Sequence, residues 1–395
     1  MSGPGYPEAS LTISVREYDA LILGSPPPPD PDSVENGSDP DELSNLVHRV
    51  HSEGIITVSV ADSTPTEIRN AAARARAPLR RTILLARTEL EAHAGRRAGV
   101  GRVVAIGPPA RAASLQRAGA DTILEFAHSL AVAPLPSALD HDKDLVSPSD
   151  GRTPALFLDY DGTLTPIQDR PEKAVLSSST RQLLERLATQ HTVVIVSGRD
   201  RLDVERLVGI PDLLYVGSHG FDVMGHMKDG RRVSHQIGED HLPALGAAEQ
   251  DLIAALTCIT GVQIERKRFS LAAHYRMVPQ NEEDTLKEAF AAVASRHPKL
   301  RQSVGKKVME LQPNIDWNKG QAVRLILERM DPGGLRVLPI YVGDDVTDED
   351  AFFALRDQGA GIVVRRNARP THSRYQLRDT QEVVRFLDRF TPECR

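Results

Sequence analysis

Short apolar runs alternate with amphipathic stretches over the first 130 residues. Residues 18–23, 55–60, 82–85, 102–106 and 122–124 read as buried strands, separated by helical segments rich in alanine and arginine. Such alternation predicts a mostly parallel sheet with helices on its faces. The pattern resumes at residue 155. Strands are expected at 155–158, 192–196, 214–216 and 337–342, and a helix at 180–189. Between residues 221 and 311 the texture changes. Short alternating strands are expected there at 222–227, 262–268 and 270–277, with helices at 242–256 and 282–296. That combination predicts an α+β insert with antiparallel hairpins inside the second α/β domain. The cleft between an insert and its host is a favoured place for a ligand.

Three stretches rich in Pro, Ser and Asp punctuate this pattern, at 25–41, 133–154 and from Thr391 onward. Proline removes a backbone donor and fixes φ, so none of them continues a strand or helix. The second joins two globular parts. The expected organisation is an N-terminal α/β domain over 1–135, a linker over 136–153, a second α/β domain built from 154–220 and 312–395, and its insert over 221–311.

With 395 residues the chain exceeds one ordinary domain. Hydrophobic residues make up 40% and aromatics only 4%, so the cores are expected to be mainly aliphatic. A net charge of −6 argues against a nucleic-acid partner, which needs a basic face. Two cysteines, Cys258 and Cys394, make neither a disulfide framework nor a metal cluster and fit a reducing compartment. No apolar run reaches the roughly 18 residues that span a bilayer. The first residues, MSGPGYPEAS, lack the basic-then-apolar order of a signal peptide. A cytoplasmic protein without membrane or nucleic-acid partners is expected.

Four motifs fall at strand ends or helix starts of the second α/β domain. Asp159 and Asp161, followed by Gly162, end the strand ALFLD. Ser197-Gly198-Arg199 follows TVVIV. Lys319 opens the helix GQAVRLILERM, and Gly343-Asp344-Asp345-Val346-Thr347-Asp348 follows PIYV. In open parallel sheets ligands bind beyond the carboxyl ends of the strands. Each motif alone reads as a turn, a cap or a solvated lysine; four in this order do not. Their residue types suit phosphoryl transfer to a carboxylate. Negative charge on both reactants calls for a hard cation, and Mg²⁺ takes carboxylate, phosphate and water oxygens. Asp159 and Asp344 are the expected ligands, with Asp345 and Asp348 holding the metal's waters. Ser197 and Lys319 would bind phosphate oxygens. Asp161 would protonate the leaving alkoxide and then activate water, which calls for a protonated carboxyl and a desolvated setting. Two alternatives fail. A calcium loop from Asp159 would need Gly at Leu164 and Glu at Arg170. A dinucleotide fingerprint needs its glycines after the strand, whereas Gly99 and Gly101 precede it.

These four motifs resemble those of the haloacid dehalogenase superfamily of phosphatases, over about residues 155–395. Glu265 to Arg276 (ERKRFSLAAHYR), Gly305 to Pro313 (GKKVMELQP) and Gly217-Ser218-His219-Gly220 resemble trehalose-6-phosphate phosphatases more specifically. The length and N-terminal extension resemble the mycobacterial-type enzymes. The resemblance implies a doubly wound parallel-sheet core with an α+β cap, and hydrolysis of trehalose 6-phosphate. It implies Asp159 as nucleophile, Asp161 as acid and base, and Mg²⁺ on Asp159, Asp344 and the Asp161 backbone carbonyl. It also implies sugar recognition by Glu265, Lys267, Arg276, Lys306 and Glu310. Tyr160, Arg199 and His219 complete the expected substrate-binding set, with a structural role as the alternative for His219; His274 is left open. Arg266, Arg268 and Lys307 read as solvated charges on a β-ribbon. A phosphatase for sucrose phosphate or mannosyl phosphoglycerate is the runner-up. A non-catalytic sugar-phosphate sensor would have lost one of Asp159, Asp161, Lys319 and Asp344, and all four are present.

The first domain departs from the pattern. YDALILGSPP has the strand of a dehalogenase-type first motif, with Gly24 and Ser25 where acids would stand. Residues 103–126 resemble the late strand–helix–strand of sugar phosphomutases in the same superfamily. A degenerate copy of the fold is therefore expected here, without metal or phosphate chemistry, serving dimerisation or regulation; an unrelated α/β domain is the alternative.

Overall fold

The structure, a computed structural model, describes residues 11–14, 17–24, 40–168, 171–211, 213–305, 307–334, 336–367 and 369–391. Most of the proline-rich stretch at 25–41, Lys306 and Cys394 lie outside the described residues. The chain divides into two compact units. One comprises Met1–Ser137 with Arg365–Gln376, the other Ala138–Val364 with Leu377–Arg395.

In the first unit, β1 (Leu11–Ser14) pairs in parallel with β7 (Leu130–Ala133). The remaining strands are β2 (Ala20–Leu23), β3 (Ile56–Ser59), β4 (Thr82–Ala86), β5 (Arg102–Ile106) and β6 (Thr122–Leu124). They form one sheet in the order β3-β2-β4-β5-β6, with every pair parallel. β2 and β4 are buried along their whole length. A strand covered on both faces reads as a continuous apolar run, which is why these were visible in the sequence. Thr88 and Glu91 cap the helix Glu89–Ala98 reciprocally. The segment 365–376 is bonded into this unit, Thr371 N donating to the Gly54 carbonyl at 3.1 Å.

The second unit holds β8 (Thr153–Asp159), β9 (Thr192–Val196), β10 (Leu214–Gly217), β11 (Asp222–His226), β12 (Arg232–Gln236), β13 (Gln263–Arg266), β14 (Leu271–His274), β15 (Leu300–Gly305), β16 (Val308–Pro313), β17 (Val337–Gly343) and β18 (Ala360–Val364). Its large sheet runs in the order β12-β11-β10-β9-β8-β17-β18. The pairs from β10 to β18 are parallel, and the β11–β12 hairpin continues the sheet antiparallel. The sequence pattern had grouped 222–227 with the insert. Hydrogen bonding instead builds it onto β10. β12 escaped sequence reading because only Val233 of its five residues is buried.

The insert carries a four-stranded antiparallel sheet, β13-β14-β16-β15. The helices Leu242–Leu256 and Glu283–Arg296 pack on it through Leu252, Leu256, Phe290 and Val293, against Leu271 and Leu311. The stretch at 133–154 is not all irregular: the helix Asp142–Val146 buries Leu145 there. Among the described residues no helix is long and apolar enough to cross a membrane. Phe290 is fully buried in the insert core. Phe290→Ala should therefore lower stability by about 3–5 kcal/mol in denaturant unfolding.

Candidate active site

Parallel register aligns the carboxyl ends of the central strands. Asp159 at the end of β8 pairs with Val196 on β9, and Val342 on β17 pairs with Leu158. Ser197 and Asp344, one and two residues further on, therefore reach the same edge as Asp159. Gly162 makes that convergence possible. Its φ is +82°, and a Cβ there would lie 2.1 Å from Asp344 Oδ2. Only glycine lets the turn after β8 lie against the Asp344 carboxylate. The turn is closed by Gly162 N donating to the Thr165 carbonyl at 2.7 Å. Thr163 Oγ1 is buried with no hydrogen-bond partner among the described residues.

Lys319 is the central cation. Asn318 caps the helix Lys319–Met330 by accepting from Gln321 N at 3.0 Å, so Lys319 emerges from its first turn. Its Nζ donates to Asp159 Oδ1 at 2.8 Å and to Asp348 Oδ1 at 2.7 Å. All three side chains are buried. Burial opposes the ammonium, but the two carboxylates outweigh it and hold the Lys319 pKa well above the lysine range. Asp348 also accepts from the Tyr341 hydroxyl at 2.7 Å and from Asp345 N at 2.9 Å. Burial pushes the Asp159 carboxyl well up despite the Lys319 attraction, and the Asp348 and Asp344 charges add to the push.

That imbalance bears on a metal. Oxygens of Asp159, Asp344 and Asp348 lie within 4.8 Å of one another. One lysine faces three carboxylates, and an all-oxygen donor set suits a hard divalent cation. Asp348, expected only to hold the metal's waters, thus stands among the possible ligands. The Asp161 carboxylate does not.

Asp161 is held by Arg199 instead. Arg199 Nε donates to Oδ2 at 2.6 Å and Nη2 to Oδ1 at 2.7 Å, a two-point grip. Arg199 also reaches Asp203 at 3.2 Å. The sequence argument called for a desolvated setting, whereas the Asp161 side chain is 37% exposed. Ser197 is buried, its Oγ accepting from Arg199 N at 3.1 Å. Tyr160 belongs to the expected substrate-binding set. Its ring is fully buried and its hydroxyl donates to the Ala174 carbonyl at 2.5 Å. The Arg199 guanidinium lies 5.6 Å from its ring centre.

Residues of the insert face this edge. Lys267 Nζ stands 3.7 Å from Glu310 Oε1, and Gln312 Nε2 donates to Glu310 Oε2 at 2.9 Å. Burial works against ionising Glu310. Lys267 and His219, with the side chains of Ser270 and Gln312, together outweigh it and keep the carboxyl below its usual range. Glu265 lies 2.8 Å from His274 Nε2, and that contact lowers its carboxyl. His219 follows β10, at φ +57°, with its backbone N donating to the Ser197 carbonyl at 3.1 Å. Its ring rests on Gly198, where a Cβ would come within 2.5 Å. Nδ1 is buried with no hydrogen-bond partner among the described residues. Burial pushes the imidazole down to about 4, with Glu310, Lys319 and Lys267 all within electrostatic reach. Arg276 sits exposed on the turn after β14, apart from these groups in the chain register. Lys306 lies outside the described residues.

Sequence reading missed Tyr341, Asp200 and Arg268. Tyr341 lies inside an apolar strand, with nothing local to mark its bond to Asp348. Asp200 precedes the helix Arg201–Val208 and is legible as its cap. Arg268, read as a solvated charge, bonds to Asp200, Gln236 and Glu239. Its side chain is exposed, and nothing in so polar a stretch marks a bonded charge from a free one.

The sheet, its carboxyl-edge aspartates and lysine, and the α+β insert define a phosphatase of the haloacid dehalogenase superfamily, a phosphoric monoester hydrolase. Comparison with known proteins narrows this. Residues 157–381 match the family model for trehalose-phosphatase, and the chain belongs to that family. A probable trehalose-phosphate phosphatase D of Arabidopsis thaliana is 38% identical over 274 residues, covering 67% of this chain and 74% of that protein. An uncharacterized glycosyl hydrolase of Mycobacterium tuberculosis is 36% identical over 358 residues, covering 86% of this chain and 27% of that protein. The crystal structure of a trehalose-6-phosphate phosphatase related protein superposes with a TM-score of 0.51 at 26% identity, over 59% of this chain and 95% of that one. The C-terminal domain of Candida albicans trehalose-6-phosphate phosphatase shares the fold, with a TM-score of 0.52 at 24% identity, over 64% and 97% of the two chains.

Two outcomes follow from the geometry. Gly162→Ala forces the turn and the Asp344 carboxylate apart, and phosphate release should fall ~100-fold in kcat/KM. His219 binds its proton less readily folded than unfolded, because its value falls from 6.5 to about 4. Stability should therefore drop as pH falls through that window. His219→Asn should flatten the thermal midpoint there, measured from pH 7 to pH 4.

Proposed function

We propose that the chain hydrolyses trehalose 6-phosphate to trehalose and phosphate through an aspartyl-phosphate on Asp159. The observation that carries this reading is the buried Lys319 bridge between Asp159 and Asp348, with the Lys267–Glu310 pair of the insert in the electrostatic field of the same edge. Charged groups that make directional hydrogen bonds suit a disaccharide rich in hydroxyls. The names of the relatives point to the same substrate.

In this mechanism Lys319 grips Oδ1 of Asp159, and Oδ2 attacks phosphorus. The ester O–P bond breaks, and the Asp161 carboxyl delivers its proton to the departing sugar oxygen. Ser197 and Lys319 take up charge on the phosphoryl oxygens in flight. Water then gives a proton to the Asp161 carboxylate and its oxygen attacks the aspartyl-phosphate, freeing phosphate and Asp159. A phosphate seated beside the Arg199 guanidinium competes with Asp161 for its donors. Asp159 and Asp344, with the Asp161 backbone carbonyl, would hold Mg²⁺. The ion would supply charge neutralisation between the nucleophile and the incoming phosphate.

We read residues 154–220 and 312–395 as the catalytic core and 221–311 as the substrate-recognising cap, with the β11–β12 hairpin as its stem on the large sheet. Residues 1–135 carry no phosphate chemistry in this reading. Beside Gly24, at the end of β2, a Cβ would lie 2.4 Å from Glu91 Oε1. Glu91 is buried and accepts from Thr88 N at 3.1 Å. A fixed carboxylate thus fills the place where a nucleophile and phosphate would need room. The reducing setting inferred from cysteine usage makes the cytoplasm the expected site of reaction.

The test is Asp159→Asn. Phosphate release from trehalose 6-phosphate should fall at least ~10³-fold while far-ultraviolet circular dichroism is unchanged. Retained turnover would remove Asp159 from the nucleophile's role.

A further inference from the structure

The hairpin tip between β13 and β14 is tied down by contacts that the catalytic reading does not use. Lys267 N donates to the Ser270 carbonyl at 2.9 Å, closing the tip. At its apex, Arg268 N donates to Asp200 Oδ2 at 2.9 Å. Arg268 Nη2 donates to Gln236 Oε1 and to Glu239 Oε1, both at 3.0 Å. The guanidinium also stands 5.4 Å from the Phe269 ring centre. Phe269 is fully buried and stacks on Phe221, with centroids 6.0 Å apart.

The three acceptors come from different places. Asp200 follows Arg199 and also accepts from Leu202 N at 3.3 Å, so the helix it caps fixes its carboxylate. Gln236 ends β12 and donates through Nε2 to Asp222 Oδ1 at 2.9 Å, while Arg201 Nε donates to Asp222 Oδ2 at 3.0 Å. Asp222 is almost fully buried. Glu239 lies on the chain that leaves the large sheet for the insert. One residue thus ties the tip to the loop after β9, to the end of β12 and to the connection into the insert. The Arg268–Glu239 ion pair is substantially exposed and contributes little by itself. Its consequence is geometric. Lys267 is the next residue, and its ammonium must lie opposite Glu310. A flexible lysine on a swaying tip would lose that register.

We infer that Arg268 is a positioning residue for the sugar end of the substrate: its guanidinium, bonded to Gln236 and Glu239 beside the backbone bond to Asp200, ties down the hairpin tip and holds Lys267 opposite Glu310. The inference rests on the reading that Lys267 and Glu310 meet the sugar. A phosphate ester too small to reach the insert has no use for the anchor, and that separates positioning from general support of the fold.

The experiment measures steady-state kinetics of the full chain on trehalose 6-phosphate and on p-nitrophenyl phosphate, for the unmodified protein, Arg268→Ala, Arg268→Lys, Lys267→Ala and the double variant Arg268→Ala/Lys267→Ala. Arg268→Ala should raise KM for the sugar phosphate ~10-fold and leave kcat/KM on the aryl ester within about 2-fold. Arg268→Lys should recover part of the loss, since an ammonium lacks the guanidinium's fork of donors. Adding Arg268→Ala to Lys267→Ala should cost little more than Lys267→Ala alone, because both act through one contact. Equal losses on both esters, fully additive losses, or an unchanged KM for the sugar phosphate would each overturn the inference. Should the unmodified chain prefer another sugar phosphate, the substrate assignment fails while the anchor is judged by the same ratios on that ester.

Discussion

A lysine ammonium buried between two buried carboxylates is the constraint on which the rest of this molecule depends. Taking three charges out of water is expensive, and removing any one partner would strand the others. The arrangement is therefore secured from several sides. Asn318 fixes where the helix of Lys319 begins. Trp317, one residue earlier, donates from its indole to the Gly220 carbonyl at 2.8 Å. Tyr341 and the Asp345 backbone pin Asp348 from below. With Lys319 shared between two acids, Asp344 and the turn at Gly162 complete a site with more negative than positive charge. That surplus adds to the upward push that burial exerts on Asp159 and suits the cluster to a divalent cation.

The two aspartates of the first motif consequently live in different settings, although they stand two residues apart. Asp159 is buried and bonded to an ammonium. Asp161 is partly open and gripped by a guanidinium. Separate environments are what separate roles in nucleophilic attack and proton transfer require. The Gly217–Gly220 loop links them to the insert. Ser218 N donates to the Arg199 carbonyl at 2.6 Å and His219 N to the Ser197 carbonyl. The His219 ring then stands in the field of Glu310 and Lys267. The insert's Lys267 and Glu310 and the sheet-edge groups are joined through this short, strained segment.

Much of this was legible in the residues. Buried parallel strands such as β8 and β9 announce themselves as unbroken apolar runs, and Asp159, Ser197, Lys319 and Asp344 follow or open elements in a recognisable order. What was hidden was hidden for physical reasons. β12 is a polar edge strand with one buried residue, so no periodicity marks it. The β11–β12 hairpin alternates like the insert's strands, and only hydrogen bonding to β10 assigns it to the large sheet. The bidentate hold of Arg199 on Asp161 joins residues 38 positions apart, which no local pattern shows. Arg268 sits in a run of charges where a bonded side chain and a solvated one look alike.

The most direct measurement is phosphate release by the full chain across a panel of sugar phosphates, each assayed with Mg²⁺ and again with EDTA. The account predicts the highest kcat/KM on trehalose 6-phosphate, loss of release in EDTA, and recovery when Mg²⁺ is restored in excess. No release from trehalose 6-phosphate, or equal rates with and without EDTA, would contradict it.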